Sequence, residues 1–279
     1  MLEILKDILI DTTVDTLKLL PFLLVAFLLI EVLTARSSAM TERILTNINK
    51  SGPIVGSILG CIPQCGFSAI ASELFSGGMI SLGTLLAVFL ATSDEAIIIL
   101  LGYPNQLGNI VRLVLTKLII GILAGYIVDL TLSKKITSTK KIADHYEDCD
   151  CHDHGILYTA LGHAFKLAIF IFIITAIIDL LITLVGMDKI SSLLLADTLF
   201  QPFLTALIGL IPNCAASVLL TELYISGAIS FAAATSGLCA NAGLGLLVLF
   251  KVNKSTKENY TVVGIMYIIA VASGIILSL

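Results

Sequence analysis

Gly60-Cys61-Ile62-Pro63-Gln64-Cys65 and Gly209-Leu210-Ile211-Pro212-Asn213-Cys214 are one hexapeptide pattern written twice, 149 residues apart. Each sits within an apolar stretch, Ile54–Phe75 and Leu204–Tyr224. Extended without a gap, Gly60–Gly83 falls on Gly209–Ala232, and ten of those 24 positions are identical. Apolar composition alone would not hold Pro63/Pro212, Cys65/Cys214, Ser68/Ser217 and Glu73/Glu222 in register. At a shift of 148, Lys18 meets Lys166 and Glu31 meets Asp179. The chain is therefore read as a duplication. The first repeat is 1–132, a Cys/His-rich linker is 133–155, and the second repeat is 156–279.

Across the whole chain, 57% of the 279 residues are apolar and 13% are charged. An ordinary soluble domain carries about 25% charged residues, so too few remain here to build a water-facing surface. A disordered chain and a nucleic-acid binder are excluded on the same ground. Further apolar stretches fall at Leu17–Leu33, Ile80–Leu101, Ile110–Leu132, Leu157–Val185, Ile229–Phe250 and Val262–Leu279. The expected fold class is an all-α polytopic membrane protein with roughly 8–10 membrane segments. Met1–Asp15 carries four acids and no basic start, so no cleavable signal peptide is expected.

The basic residues suggest how the repeats are oriented, because cytoplasmic loops are enriched in Lys and Arg. The linker holds Lys134, Lys135, Lys140 and Lys141, and the loop after the first apolar stretch holds Arg36, Arg43 and Lys50. The counterpart loop, 186–201, has only Lys189. The uncharged turn 102–107 has Lys251, Lys254 and Lys257 near its counterpart. Basic charge thus alternates sides between the halves, as in inverted-topology repeats. This places the linker in the cytoplasm and both termini outside. An odd number of crossings per half requires one of two arrangements. Either the Pro-containing stretches are re-entrant hairpins, or Ala35–Lys50 and Met187–Pro202 cross as short helices.

Three groups of residues carry candidate chemistry. Pro63 and Pro212 remove a backbone donor and break their helices. Non-helical backbone at membrane depth is tolerated only inside protein or beside a water-filled cavity. Each break offers a thiol (Cys65, Cys214), an amide (Gln64, Asn213) and a hydroxyl (Ser68, Ser217), with Cys61 and Cys239 as further thiols. Packing of a kinked helix is the plainer alternative. The second group is Thr92-Ser93-Asp94-Glu95, two acids in an apolar stretch. A buried charge there costs at least about 2.5–3.5 kcal/mol and usually marks a functional site. The repeat counterpart begins at Asn241 and has no acid, so Asp94 and Glu95 are expected to form a coupling or ion site for H⁺, Na⁺ or a divalent cation. A water-exposed turn is the alternative. The third group is Cys149, Cys151, His152 and His154 in the linker, a small metal-binding tract or an incidental one. Glu73 and Glu222 are expected at helix ends or a cavity rim. Glu31 and Asp179 are expected at the ends of their helices. Arg112 and Lys117 are expected to pair with Asp129 or face a vestibule.

No phosphate loop or hydrolase motif occurs, so no enzyme activity and no cofactor are expected. The paired Pro-Cys motifs, Thr92–Ala96, Asn241–Leu244 and the Cys/His-rich loop resemble the ten-transmembrane heavy-metal exporters, related to the organoarsenical permeases. Members are often labelled arsenic efflux protein or manganese transporter. The resemblance covers nearly the whole chain and implies export of a metal or metalloid by ten helices. Partners would be membrane lipid and a small inorganic ion, with a homodimer left open. Thiols favour As(III), whereas Asp94, Glu95, Gln64 and Asn213 favour a hard ion such as Mn²⁺. A permease for a small organic solute or anion, with structural cysteines, is the competing expectation.

Overall fold

Every regular element among the described residues is an α-helix. The computed structural model describes residues 51–103, 107–132, 156–185 and 200–279, with scattered positions between 10 and 25. At Asp94, Glu95 and parts of 156–185 only the backbone is described. The helices are α1 (Ser51–Gly60), α2 (Gly66–Ser76), α3 (Leu82–Ala91), α4 (Asp94–Leu101), α5 (Leu107–Thr131) and α6 (Ile156–Val185). They continue with α7 (Gln201–Gly209), α8 (Cys214–Ile225), α9 (Phe231–Ala240), α10 (Leu244–Val252) and α11 (Thr256–Ser278). The pieces 35–50 and 187–199, the linker and Glu31 lie outside the described residues.

The duplication reappears in the elements. Adding 149 to Leu82 and Ala91, the ends of α3, gives Phe231 and Ala240, the ends of α9. The local causes are duplicated as well. Ser81 caps α3 by accepting from the Thr84 amide, and Ser230 caps α9 by accepting from the Ala233 amide. Such caps satisfy backbone donors that a helix start leaves open. Gly78 (φ 73°) and Gly227 (φ 77°) turn the chain before each cap, in a region that non-glycine residues avoid.

Leu82–Leu101, Gly108–Thr131, Phe231–Val252 and Thr256–Ser278 are each long and apolar enough to cross a membrane. The first and third are mostly buried inside the protein, and the second and fourth are mostly exposed. On α5 the exposed Leu115, Ile119, Leu123 and Ile127 recur every four residues. This is one helix face, apolar and without protein cover, as a lipid-facing helix requires. The chain is a multi-pass membrane protein.

Within each half, α3 packs on α5 and α9 packs on α11. Small residues allow the close approaches. A Cβ on Gly60 would meet the Val88 carbonyl at 2.5 Å, and one on Gly209 would overlap the equivalent Gly237 carbonyl. Between halves the packing is reciprocal: α2 lies on α10 and α8 lies on α4, while α3 meets α9. An exchange in which i contacts j and j contacts i is what an approximate two-fold relation produces.

Some boundaries differ from the sequence expectation. Asp179 does not end its helix, because α6 continues to Val185. The last helix starts at Thr256 rather than Val262, because Ser255 accepts from the Glu258 amide and extends the helix into polar sequence.

Candidate substrate site at four helix breaks

The two Pro breaks share one backbone path. After α1 the Ile62 amide donates to the Leu59 carbonyl at 3.2 Å and Gln64 to Ile62 at 2.7 Å. After α7 Ile211 donates to Ile208 at 3.0 Å and Asn213 to Ile211 at 2.8 Å. Helical bonding thus shortens to i−3 and then i−2 around each Pro, which breaks the helix. The Ser68 hydroxyl donates to the Cys65 carbonyl and the Ser217 hydroxyl to the Cys214 carbonyl, each at 2.8 Å. The amides diverge. Asn213 Oδ1 caps α8 by accepting from the Ala215 amide at 3.3 Å, whereas Gln64 Oε1 accepts from the Cys65 thiol at 3.8 Å. Cys61, Cys65 and Cys214 are half-buried thiols. Cys65 packs against an apolar cluster built by α2, α6 and α10, which includes Ala69, Ala164 and Leu244.

A second pair of breaks lies in the buried helices. Thr92 and Ser93 separate α3 from α4, and both are buried. Their hydroxyls donate backwards, Thr92 to the Val88 carbonyl at 2.8 Å and Ser93 to the Ala91 carbonyl at 3.1 Å. Asn241, Ala242 and Gly243 separate α9 from α10. Asn241 Oδ1 accepts from the Gly243 amide at 2.7 Å, and Gly243 takes φ 53°. The sequence reading missed this break. An Asn two residues before a Gly was the available signal, since that pair supports an Asx turn at positive φ. Gly60 packs on Val88 and Ala91, and Gly209 on Gly237 and Ala240. In each half, therefore, the Pro break lies beside the second break.

Lys117 joins the halves. Its side chain is fully buried on α5, and Nζ donates to the Thr92 carbonyl and, at 2.7 Å, to the Leu238 carbonyl. One ammonium thus binds the break of the first half and the last turn of α9 in the second. Cys61 and Cys239 lie within its electrostatic range. Cys239 is buried, and the Ser273 hydroxyl donates to the Ala270 carbonyl at 2.7 Å.

The expected pairing with Asp129 does not occur. Twelve residues along one helix separate the two side chains by about 18 Å. Asp129 instead accepts from the Gly83 amide at 2.9 Å and the Ser81 hydroxyl at 2.7 Å, at the start of α3. Arg112 stacks over the Phe231 ring, 4.2 Å from its centroid. Glu73 is buried and, among the described residues, its Oε1 has no hydrogen-bond partner, whereas Glu222 is exposed. The matched acids therefore occupy different environments. Asp94 and Glu95 open α4, directly after the first of the buried breaks. Cys149, Cys151, His152 and His154 lie outside the described residues. Among the described residues, no three Cys, His, Asp or Glu side chains gather into a group that could hold a metal ion.

Residues 3–188 match the family described as "Putative, 10TM heavy-metal exporter". No curated protein and no solved structure matches the chain.

Proposed function

Because the chain belongs to the 10TM heavy-metal exporter family, we propose that it is a secondary transporter exporting a metal or metalloid ion across the cytoplasmic membrane. The observation that carries this reading is the presence of four helix breaks, two from each half, with the halves packed reciprocally and linked through Lys117. Discontinuous helices that present free carbonyls and helix ends are how repeat-built transporters bind ions. The substrate contacts are Cys61, Gln64, Cys65, Ser68, Asn213, Cys214 and Ser217 at the Pro breaks. Thr92, Ser93, Cys239 and Asn241 contribute at the buried breaks, and Pro63 and Pro212 hold the chain open. Soft As(III) would use the thiols, and a harder ion such as Mn²⁺ would use amide and carbonyl oxygens. Asp94 and Glu95 carry the coupling H⁺ or Na⁺. The halves are inverted, with the linker cytoplasmic and both termini outside.

The test is a growth screen of an expressing strain against Mn²⁺, Zn²⁺, Cd²⁺, As(III) and methylarsenite. Resistance to at least one ion is expected, lost for thiophilic ions in the Cys65→Ser/Cys214→Ser variant. Asp94→Asn is expected to abolish transport and spare binding. Unchanged resistance in the double Cys variant would leave the cysteines structural, and no resistance to any ion in the wild type would favour an organic-solute permease.

A further inference from the structure

We propose that the Lys117 ammonium is a tethered cation, occupying a carbonyl seat that a transported metal cation must take from it. The inference rests on the exporter reading above and assigns that site an internal competitor. Carbonyls in the last turn of a helix have no partner within it, and together they carry roughly half a negative charge. The Thr92 carbonyl closes α3 and the Leu238 carbonyl belongs to the last turn of α9. Two such ends, one from each half, form an oxygen-lined position suited to a cation, the arrangement that coordinates ions in broken-helix transporters. In this conformation the position holds Nζ of Lys117.

The second half provides an internal control. The residue equivalent to Lys117, 149 positions on, is Met266, which is also fully buried. The packing of α11 against its own broken helix is therefore satisfied by an unbranched apolar side chain of similar length. Helix packing alone does not require an ammonium at this position. A buried ammonium is tolerated only where oxygens replace its water shell, and two of its acceptors, the Thr92 and Leu238 carbonyls, come from the two halves. The long, flexible Lys stem lets the charge leave the seat while its backbone stays fixed. The substrate class that follows is a hard or borderline metal cation that prefers oxygen ligands. While the ammonium is seated, cation affinity is low. When it withdraws, the seat opens, and its return expels the bound ion.

Equilibrium dialysis of the purified full-length protein in nanodiscs, with Mn²⁺ and Cd²⁺ as probes, tests this. Lys117→Gln keeps an N–H donor for the carbonyls but loses the charge, and Lys117→Met copies the other half. Both variants should bind at least one of the two cations about tenfold or more tightly than wild type, since a unit charge a few ångströms away is gone. Both should also lose efflux from metal-loaded cells, because the ion is no longer expelled. Lys117→Arg should stay at or below wild-type affinity. Unchanged or weaker cation binding by Lys117→Gln, in protein that melts near the wild-type temperature, overturns the inference. A strut that only needs a donor would give that result. If wild type exports a metal but Lys117→Gln binds it no more tightly, only the tethered-cation idea fails. If Lys117→Gln gains affinity while wild type exports none of these ions, the seat stands and the exporter reading fails.

Discussion

Glu73 and Glu222 show how much one residue's surroundings differ between halves of matched local sequence. The helix carrying Glu73 is held against α10 by Ser72, which donates to the Gly245 carbonyl at 2.7 Å, and by Ser76, which donates to the Val252 carbonyl at 3.0 Å. The equivalents are Thr221, which bonds within its own helix to Ser217, and Ile225. The matched acids were therefore legible as a pair, but not which one would be buried, because burial depends on the opposite half. An unsatisfied buried polar group costs about 1–3 kcal/mol. Glu73→Leu is expected to raise stability by about that amount in a thermal melt in detergent, while Glu222→Leu stays within about 0.5 kcal/mol of wild type. A stability loss in Glu73→Leu would show that the carboxyl has a favourable role in the fold. Lys117 was visible as a charge out of place, yet its destination was not. The helix period would have excluded Asp129 as its partner, but only tertiary packing brings Thr92 and Leu238 together.

At the scale of the element, the breaks divide into those with a loud signal and those with a quiet one. Pro63 and Pro212 marked their breaks because a proline in mid-stretch cannot donate to the helix. Thr92-Ser93 drew notice for the acids that follow, and Asn241–Gly243 only for lacking them. Both gaps turn out to be helix ends, and the duplicated caps explain how the preceding helices start. Ser81 and Ser230 should each cost about 0.5–2 kcal/mol when replaced by Ala. Ser81 should cost more, because its hydroxyl also donates to the Asp129 carboxylate, whereas that of Ser230 donates to the Gln201 amide oxygen at 3.1 Å. The two losses should add in the double variant, as they do for separate sites. Thermal melts of the three variants check this, and equal single losses would remove the role given to Asp129.

For the whole molecule, the duplication was readable because Pro, Cys, Ser and Glu repeat in register. The reciprocal packing was not, since no local pattern says which helix of one half meets which helix of the other. The direction of each half is inferred from basic residues alone. With inverted repeats, Tyr103→Cys should react with an impermeant thiol reagent added outside the cell. Lys254→Cys, close to the equivalent position of the second half, should react only when the cytoplasmic side is open. Both reporters need a background lacking the six native cysteines. Labelling of both from one side would mean parallel repeats and would remove the basis for a linker in the cytoplasm.

Uptake into everted membrane vesicles bears most directly on the central claim, that the chain exports a metal or metalloid ion through the region of its helix breaks. Vesicles from expressing cells would be given As(III), methylarsenite, Cd²⁺, Zn²⁺ or Mn²⁺ with an imposed proton or sodium gradient. The account predicts gradient-driven accumulation of at least one ion, lost in Asp94→Asn and reduced in Gln64→Ala/Asn213→Ala. No accumulation of any ion, or accumulation that these variants leave intact, would contradict it.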